Sequence, residues 1–414
     1  MIKRVILPTL CILAVVTGSV APGLAATKVG SEFRVNSRAA GNQIQPATDG
    51  FADGASIVVW SSSGNSNPDA PEYDVFAQYY NKKGNNTRGG SFRVNGYTND
   101  NQTNPDVATL ENGGFVVVWT SEGQDGSISS IYARRFDKNG NKVGKEFRVN
   151  TYNDEDQFSP RVAGLSNGGF VVVWGSWDQD GSQGGVYAQR YNKKGKPAGG
   201  EFRVNTTTQY SQLYPAIASL KNGGFVVVWS STFASVNDPT KLFGQRFTGK
   251  GAKVGSQFPV SAKDHHARNP DVAVLTNGDF VVAWTYSGVG GGTYSVYAQR
   301  FYQKAKKKGG EFRLNAKNKG DQLAPRIAAL PKAKFVGTWS EATNFAVPST
   351  YDIKSGVFNK KGKRVGKEYT VNTFKNGRQN QSDVARLGDR GYLIVWKSED
   401  QDTSGDGIYG QRYK

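Results

Sequence analysis

The sequence predicts an all-β chain: a seven-bladed β-propeller with four antiparallel strands per blade, its ring closed by the N-terminal strand pairing with the last blade. Three observations predict it. A Gly-Gly-Phe-Val-Val-Val-Trp motif places its tryptophan at Trp60, Trp119, Trp174, Trp229, Trp284, Trp339 and Trp396. A Glu-Phe-Arg-Val-Asn motif places its aromatic at Phe33, Phe92, Phe147, Phe202, Phe258, Phe312 and Tyr369. The chain opens on the second motif and ends on a third, Val-Tyr-Ala-Gln-Arg-Tyr, seen as Ile408 to Tyr413.

Both series advance by 54 to 59 residues. A fixed period of that order marks a solenoid, a propeller or an array. Each unit reads as four short strands, because Val, Phe and Trp fill the segments and Gly, Asn, Asp and Pro separate them. In the third full repeat these are Arg161 to Leu165 (a), Phe170 to Trp174 (b), Val186 to Tyr191 (c) and Glu201 to Asn205 (d). A proline stands 14 residues before each tryptophan, from Pro46 to Pro325, with Ser382 in the last copy. Strand b is apolar on both faces, as expected of a strand covered on each side by another layer. The closing strand removes a free sheet edge, which would otherwise template aggregation.

Residues 1–25 read as a secretory signal peptide, and 26–414 as the single propeller domain. Lys3 and Arg4 precede a short apolar run, Val5 to Val16, and small residues follow up to Ala26. Pro8 interrupts that run, which falls short of the roughly 20 apolar residues of a membrane helix. No transmembrane anchor is expected, and the address is periplasmic or extracellular. Cys11 is the only cysteine, so the mature chain has no disulfide and no thiol chemistry. Its strength must come from its core.

The formal charge is +18, and its placement is uneven. Basic residues crowd the c–d hairpins, most densely at Lys304, Lys306, Lys307 and Lys308 and at Lys360, Lys361, Lys363, Arg364 and Lys367. Acids crowd the b–c loops. Because these two sets of turns lie at opposite ends of the strands, one face of the disk is expected to be basic. The nine basic residues named are the candidate polyanion site. The partners this implies are an acidic polysaccharide, an envelope surface or another secreted protein, with nucleic acid bound only non-specifically.

Asp178, Asp180, Asp400 and Asp402 sit in Asp-x-Asp loops that resemble the start of a calcium loop. They lack the bidentate Glu that completes one, so calcium is a weak candidate cofactor and solvated turns are the alternative. Trp177 is the one tryptophan outside the repeated series and a candidate exposed aromatic for a ligand. Catalysis finds little support. The two histidines, His265 and His266, are adjacent in one loop. A glycosidase needs two carboxylates facing one site. The axial strand reads Val107-Ala108, Val162-Ala163, Ile217-Ala218, Val272-Ala273 and Ile327-Ala328, with Arg161, Arg326 and Arg386 as exceptions.

The motif strings resemble repeats of secreted bacterial β-propeller proteins, including adhesin-like and RTX-type surface proteins. The resemblance covers residues 30–414 and implies architecture more than activity. The Gly-Gly-x-Gly-x-Asp nonapeptides that bind calcium in RTX segments are absent, as is the Trp-Asp signature of WD40 blades. The expectation is therefore a non-catalytic binding or adhesion propeller with a basic face. The alternatives are a structural subunit of an envelope or extracellular assembly, and a polysaccharide-active hydrolase or lyase.

Overall fold

A computed structural model describes residues 26–64, 72–87, 89–232, 239–262, 265–287, 294–316, 320–344 and 350–414. The signal-peptide segment lies outside the described residues. Among those described, seven four-stranded antiparallel sheets form the seven blades. Six of them run a-b-c-d in chain order. The seventh joins Gln379–Arg386, Tyr392–Glu399 and Asp406–Tyr413 to the N-terminal strand Lys28–Arg34. Lys28 pairs with Tyr413 and Arg34 with Tyr409. The expected closure is therefore present. Among the described residues, helix is limited to one 3₁₀ turn, Pro331–Ala333, and no helix is long and apolar enough to cross a membrane.

Strand b carries the core. Phe170–Trp177 is buried from Phe170 to Ser176, and its counterparts behave alike. Ala108, Val116 and Ile131 of blade 2 pack on Val162, Phe170 and Trp174 of blade 3, so the apolar layers lie between successive blades. Burying each Val or Phe side chain contributes about 1.5–3 kcal/mol, which makes this layer the main source of stability. The seven repeated tryptophans are all less than 2% exposed. Trp60, Trp119 and Trp339 also donate their indole N–H to Gln43, Gln102 and Gln322, at 3.0, 3.0 and 2.9 Å.

The asparagine that ends the Phe-Arg-Val-Asn motif has a distinct task. Its Oδ1 accepts the backbone N–H of strand c in the same blade: Val75 to Asn95, Ile131 to Asn150, Val186 to Asn205, Val296 to Asn315 and Ile353 to Asn372, all at 2.8–2.9 Å. Ser261 does the same for Leu242 in blade 4. Asn36 receives Ile408 N–H at 2.8 Å, so the closing strand uses the same lock as the rest. An unpaired buried N–H is costly, which explains why this position stays polar inside an apolar layer.

Two sequence-based bounds shift. Strand d is only Phe202–Arg203 in blade 3, because Gly199 and Gly200 interrupt the ladder before it. Where Lys-Val-Gly replaces that Gly-Gly pair, as in Lys142–Arg148, strand d is seven residues long. Strand a starts earlier than read, at Gln157 rather than Arg161, and contains a bulge between Phe158 and Arg161. That bulge recurs in every blade and shapes the axis.

Candidate functional site at the axial channel

The seven a strands are Gln43–Gly50, Gln102–Thr109, Gln157–Gly164, Gln212–Ser219, Ala267–Val274, Gln322–Leu330 and Gln379–Arg386. They surround an axial channel of about 660 Å³. In each strand the residue at or near the bulge has a left-handed backbone: Gln45, Asn104, Ser159, Tyr214, Asn269, Ala324 and Gln381, with φ between 49° and 55°. A bulge of this kind breaks the ladder and re-aims the side chains beside it. The bulge residues line the mouth of the channel, and the residues two positions on form a ring below them.

That ring reads Ala47, Asp106, Arg161, Ala216, Asp271, Arg326, Asp383. Asp49 adds a fourth carboxylate where blades 2 to 7 have an alanine, such as Ala108 or Ala163. All six charged residues are half-buried and face the channel. Each aspartate is pinned by the next blade. Asp106 Oδ2 accepts Val162 N–H at 2.8 Å, Asp271 Oδ2 accepts Ile327 N–H at 2.7 Å, and Asp383 Oδ2 accepts Thr48 N–H at 2.7 Å. Asp49 Oδ2 accepts both Thr109 N–H, at 2.8 Å, and Thr109 Oγ1–H, at 2.9 Å. Arg161 and Arg326 each donate to the preceding proline carbonyl, at 3.0 and 3.1 Å.

Loss of water raises the pKa of all four carboxyls. Asp383 rises most usefully, to about 7. Desolvation is the main cause, and the charges of Asp271 and Asp106 add to it, whereas Arg326 and the Thr48 N–H oppose it. For Asp106 the largest opposing effect is Arg161, and for Asp271 it is Arg326. The site thus holds a carboxyl that is half-protonated near neutrality, together with two others whose rise is opposed by a guanidinium. A carboxyl that titrates near neutrality suits general acid catalysis.

Reading the axial strand as Val-Ala pairs passes over the residue immediately before each pair. Asp106, Asp271 and Asp383 stand there, and the recurring Asp-Val-Ala string is the available signal. Arg161 and Arg326 do reach the channel. Arg386 does not join their ring: it lies at the a–b end, held by Asp389 at 2.7 Å and by the Gly388 carbonyl.

The other sequence candidates are placed as follows. Lys304 to Lys308 and Lys360 to Lys367 are neighbours on successive blades, tied where Arg300 donates to the Lys360 carbonyl at 2.9 Å. Lys308 is engaged by Asp279 at 2.6 Å and lies over the Tyr302 ring, and Arg364 meets Glu368 at 3.3 Å. Lys304, Lys306, Lys360, Lys361, Lys363 and Lys367 are exposed, and Lys307 is half-buried. Trp177 is half-buried, its ring tilted on Phe158 at 6.0 Å. Asp180 receives Ser182 N–H at 3.2 Å and Asn205 at 3.4 Å, while Asp402 receives Asn36 and faces Arg34. Asp178 and Asp400 take left-handed turn positions. No group of three or more His, Cys, Asp or Glu residues is arranged to hold a metal among the described residues. His266 Nδ1 accepts Thr240 N–H at 3.1 Å, and His265 meets Tyr286 edge-on.

No family model matches the chain, and no curated protein matches it in sequence. Solved structures do match in fold. A Dyadobacter fermentans protein of unknown function is 12% identical with a TM-score of 0.56, covering 76% of this chain and 94% of that one. An α-L-arabinofuranosidase of Fusarium graminearum, solved with arabinobiose, is 13% identical with a TM-score of 0.52, covering 76% and 92%. An α-L-arabinanase of Penicillium chrysogenum, also solved with arabinobiose, is 12% identical with a TM-score of 0.50, covering 93% and 98%. The shared property is the propeller fold.

The expectation of a non-catalytic binding propeller is corrected at this point. It rested on an axial wall read as apolar apart from a few arginines, and the wall carries four carboxylates beside Arg161 and Arg326. The folds similar to this one include those of an α-L-arabinofuranosidase and an α-L-arabinanase.

Proposed function

We propose that this chain is a carbohydrate-active hydrolase that cleaves a polysaccharide at the axial channel. The observation that carries the proposal is the ring of Asp106, Asp271 and Asp383 with Arg161 and Arg326 around one cavity, in which Asp383 titrates near pH 7. Asp383 donates a proton to the leaving glycosidic oxygen. Asp271, coupled to it through charge and facing Arg326, is the partner carboxyl whose ionised form activates water or stabilises the positive charge growing on the sugar ring. The guanidiniums favour an acidic polysaccharide as substrate, since planar Arg forks match carboxylates. The fold likeness to arabinanases and arabinofuranosidases supports the reaction class.

The reading includes export. Residues 1–25 act as a signal peptide, and the repeat strings resemble those of secreted bacterial surface proteins, so the enzyme works in the periplasm or outside the cell. The test is release of reducing ends from arabinan, polygalacturonate and polysialic acid by the purified chain. Activity that drops at least 100-fold in both Asp383→Asn and Asp271→Asn, with melting temperatures preserved, supports the proposal. Absence of activity on all three substrates, or full activity in both variants, overturns it.

A further inference from the structure

On the face formed by the b–c and d–a loops, blades 3 and 4 carry aromatic residues at positions where the described residues of other blades carry none. Tyr214 is 50% exposed and lines the channel, at the bulge position where the other blades carry Gln45, Asn104, Ser159, Asn269, Ala324 and Gln381. In the preceding blade 3, Phe158 and Trp177 pair at 6.0 Å with ring planes 42° apart. At the Trp177 position blades 2 and 7 have Glu122 and Glu399, and blade 4 has Thr232.

Glycines make room for these rings. Gly175, which pairs with Phe158, stands where other blades have Ser61, Thr120 or Thr285, and a Cβ there would lie 2.8 Å from the Phe158 ring. Gly184, which pairs with Trp177, is overlaid by Leu213 of blade 4, and a Cβ there would collide with it. The aromatic residues and the glycines beneath them are therefore matched departures from the repeat. Polar groups surround them: Ser211 Oγ donates to Gln183 at 2.9 Å across the two blades, and Asp178 follows Trp177.

We infer that Phe158, Trp177 and Tyr214 form a platform for successive sugar rings of a polysaccharide chain entering the channel. The inference rests on the hydrolase reading, to which it adds that the substrate is an extended chain bound across blades 3 and 4. The apolar faces of pyranose and furanose rings stack on aromatic side chains, and their hydroxyls need donors and acceptors alongside. Apart from Leu213, the groups around these rings are polar, and Tyr214 stands at the wall of the charged channel.

Seven of the eight tryptophans are buried, so fluorescence open to iodide belongs to Trp177. The experiment uses the full chain with Asp383→Asn, which on the hydrolase reading does not cleave the polysaccharide, and titrates it with polygalacturonate and with arabinan. Iodide quenching and affinity electrophoresis follow binding. At least one polysaccharide should shield Trp177, and Tyr214→Ala should weaken its binding at least 10-fold while Tyr214→Phe restores it. Trp177→Ala should weaken binding in electrophoresis to a similar degree. Tyr214 is exposed, so its variants test the idea even where Trp177→Ala folds poorly. Binding that is equal in wild type and Tyr214→Ala, or absent for both polysaccharides, overturns the inference. The hydrolase reading fails in a different way: no reducing ends are released by the unmutated chain although Tyr214-dependent binding persists.

Discussion

The carboxylate of Asp383 accepts the backbone N–H of Thr48 at 2.7 Å, so the last blade holds the first at the wall of the channel. Asp106 and Asp271 hold Val162 and Ile327 in the same way. One residue type thus stitches neighbouring blades and brings charge to the axis.

The raised pKa of Asp383 predicts how stability varies with pH. Its folded value, about 7, lies above its unfolded value, so the contribution is fully present below about pH 4 and is lost as pH rises through 7. The unmutated chain should lose melting temperature over that window. Asp383→Asn should flatten the loss, although Asp49, Asp106 and Asp271 keep a slope of the same sign. Thermal melts from pH 4 to 8 decide the matter, and parallel curves for the two proteins would count against a raised Asp383.

Asp125 predicts the opposite behaviour in acid. Partial burial pushes its pKa up, but hydrogen bonds from Ser130, Ser127 and Arg148 outweigh this and bring it down to about 2. Its contribution is present above about pH 4 and lost as pH falls through 2. Asp125→Asn should melt a few degrees lower than wild type at pH 7, and the gap should close near pH 2. A gap that is constant with pH would contradict the assignment.

The closing strand predicts a specific loss. Asn36→Ala leaves the buried N–H of Ile408 without its acceptor, which costs about 1–3 kcal/mol. Asn150→Ala orphans Ile131 within a covalently continuous blade and should cost the same. Denaturant unfolding compares them. A much smaller effect at Asn36 would mean that the seam between the termini is loose.

The sequence and the structure agree where repetition and burial coincide. Trp174 and its six counterparts end an apolar run, and any position that must be buried on both faces shows itself by hydrophobicity alone. Asn36 and Asn205 were visible as motif members, yet their role was not, because a side-chain bond to strand c leaves no periodic trace. The channel charges were harder to read. Asp106, Arg161 and Asp271 differ from blade to blade, so they look like noise within a repeat. Their direction is set by a bulge that composition does not announce. Trp177 was picked out as a lone aromatic, while Tyr214 was hidden behind Pro215 in a strand read as beginning after the proline.

That bulge supports a final prediction. The bulge residue in each blade has φ between 49° and 55°, a region that costs most residues about 1 kcal/mol or more. Several offset this with side-chain bonds across blades. Gln45 donates through Nε2 to Asn104 Oδ1 at 2.9 Å, its Oε1 accepts Asn104 N–H at 2.9 Å, and Gln381 Oε1 accepts Gln45 N–H at 2.7 Å. Ala324 has no such group; only its backbone N–H is engaged, by Thr285 Oγ1 at 3.0 Å. Glycine adopts positive φ without the Cβ clash, but it also gains freedom in the unfolded chain. At Ala324 the relief of strain should be the larger effect, so Ala324→Gly should stabilise the protein by up to about 1 kcal/mol. Asn104→Gly should destabilise it, because the Gln45 Nε2–H bond to Asn104 Oδ1 is lost with the side chain while only the backbone bond remains. Differential scanning calorimetry of the two variants checks the contrast, and a fall in melting temperature for Ala324→Gly would show that the bulge is not strained there.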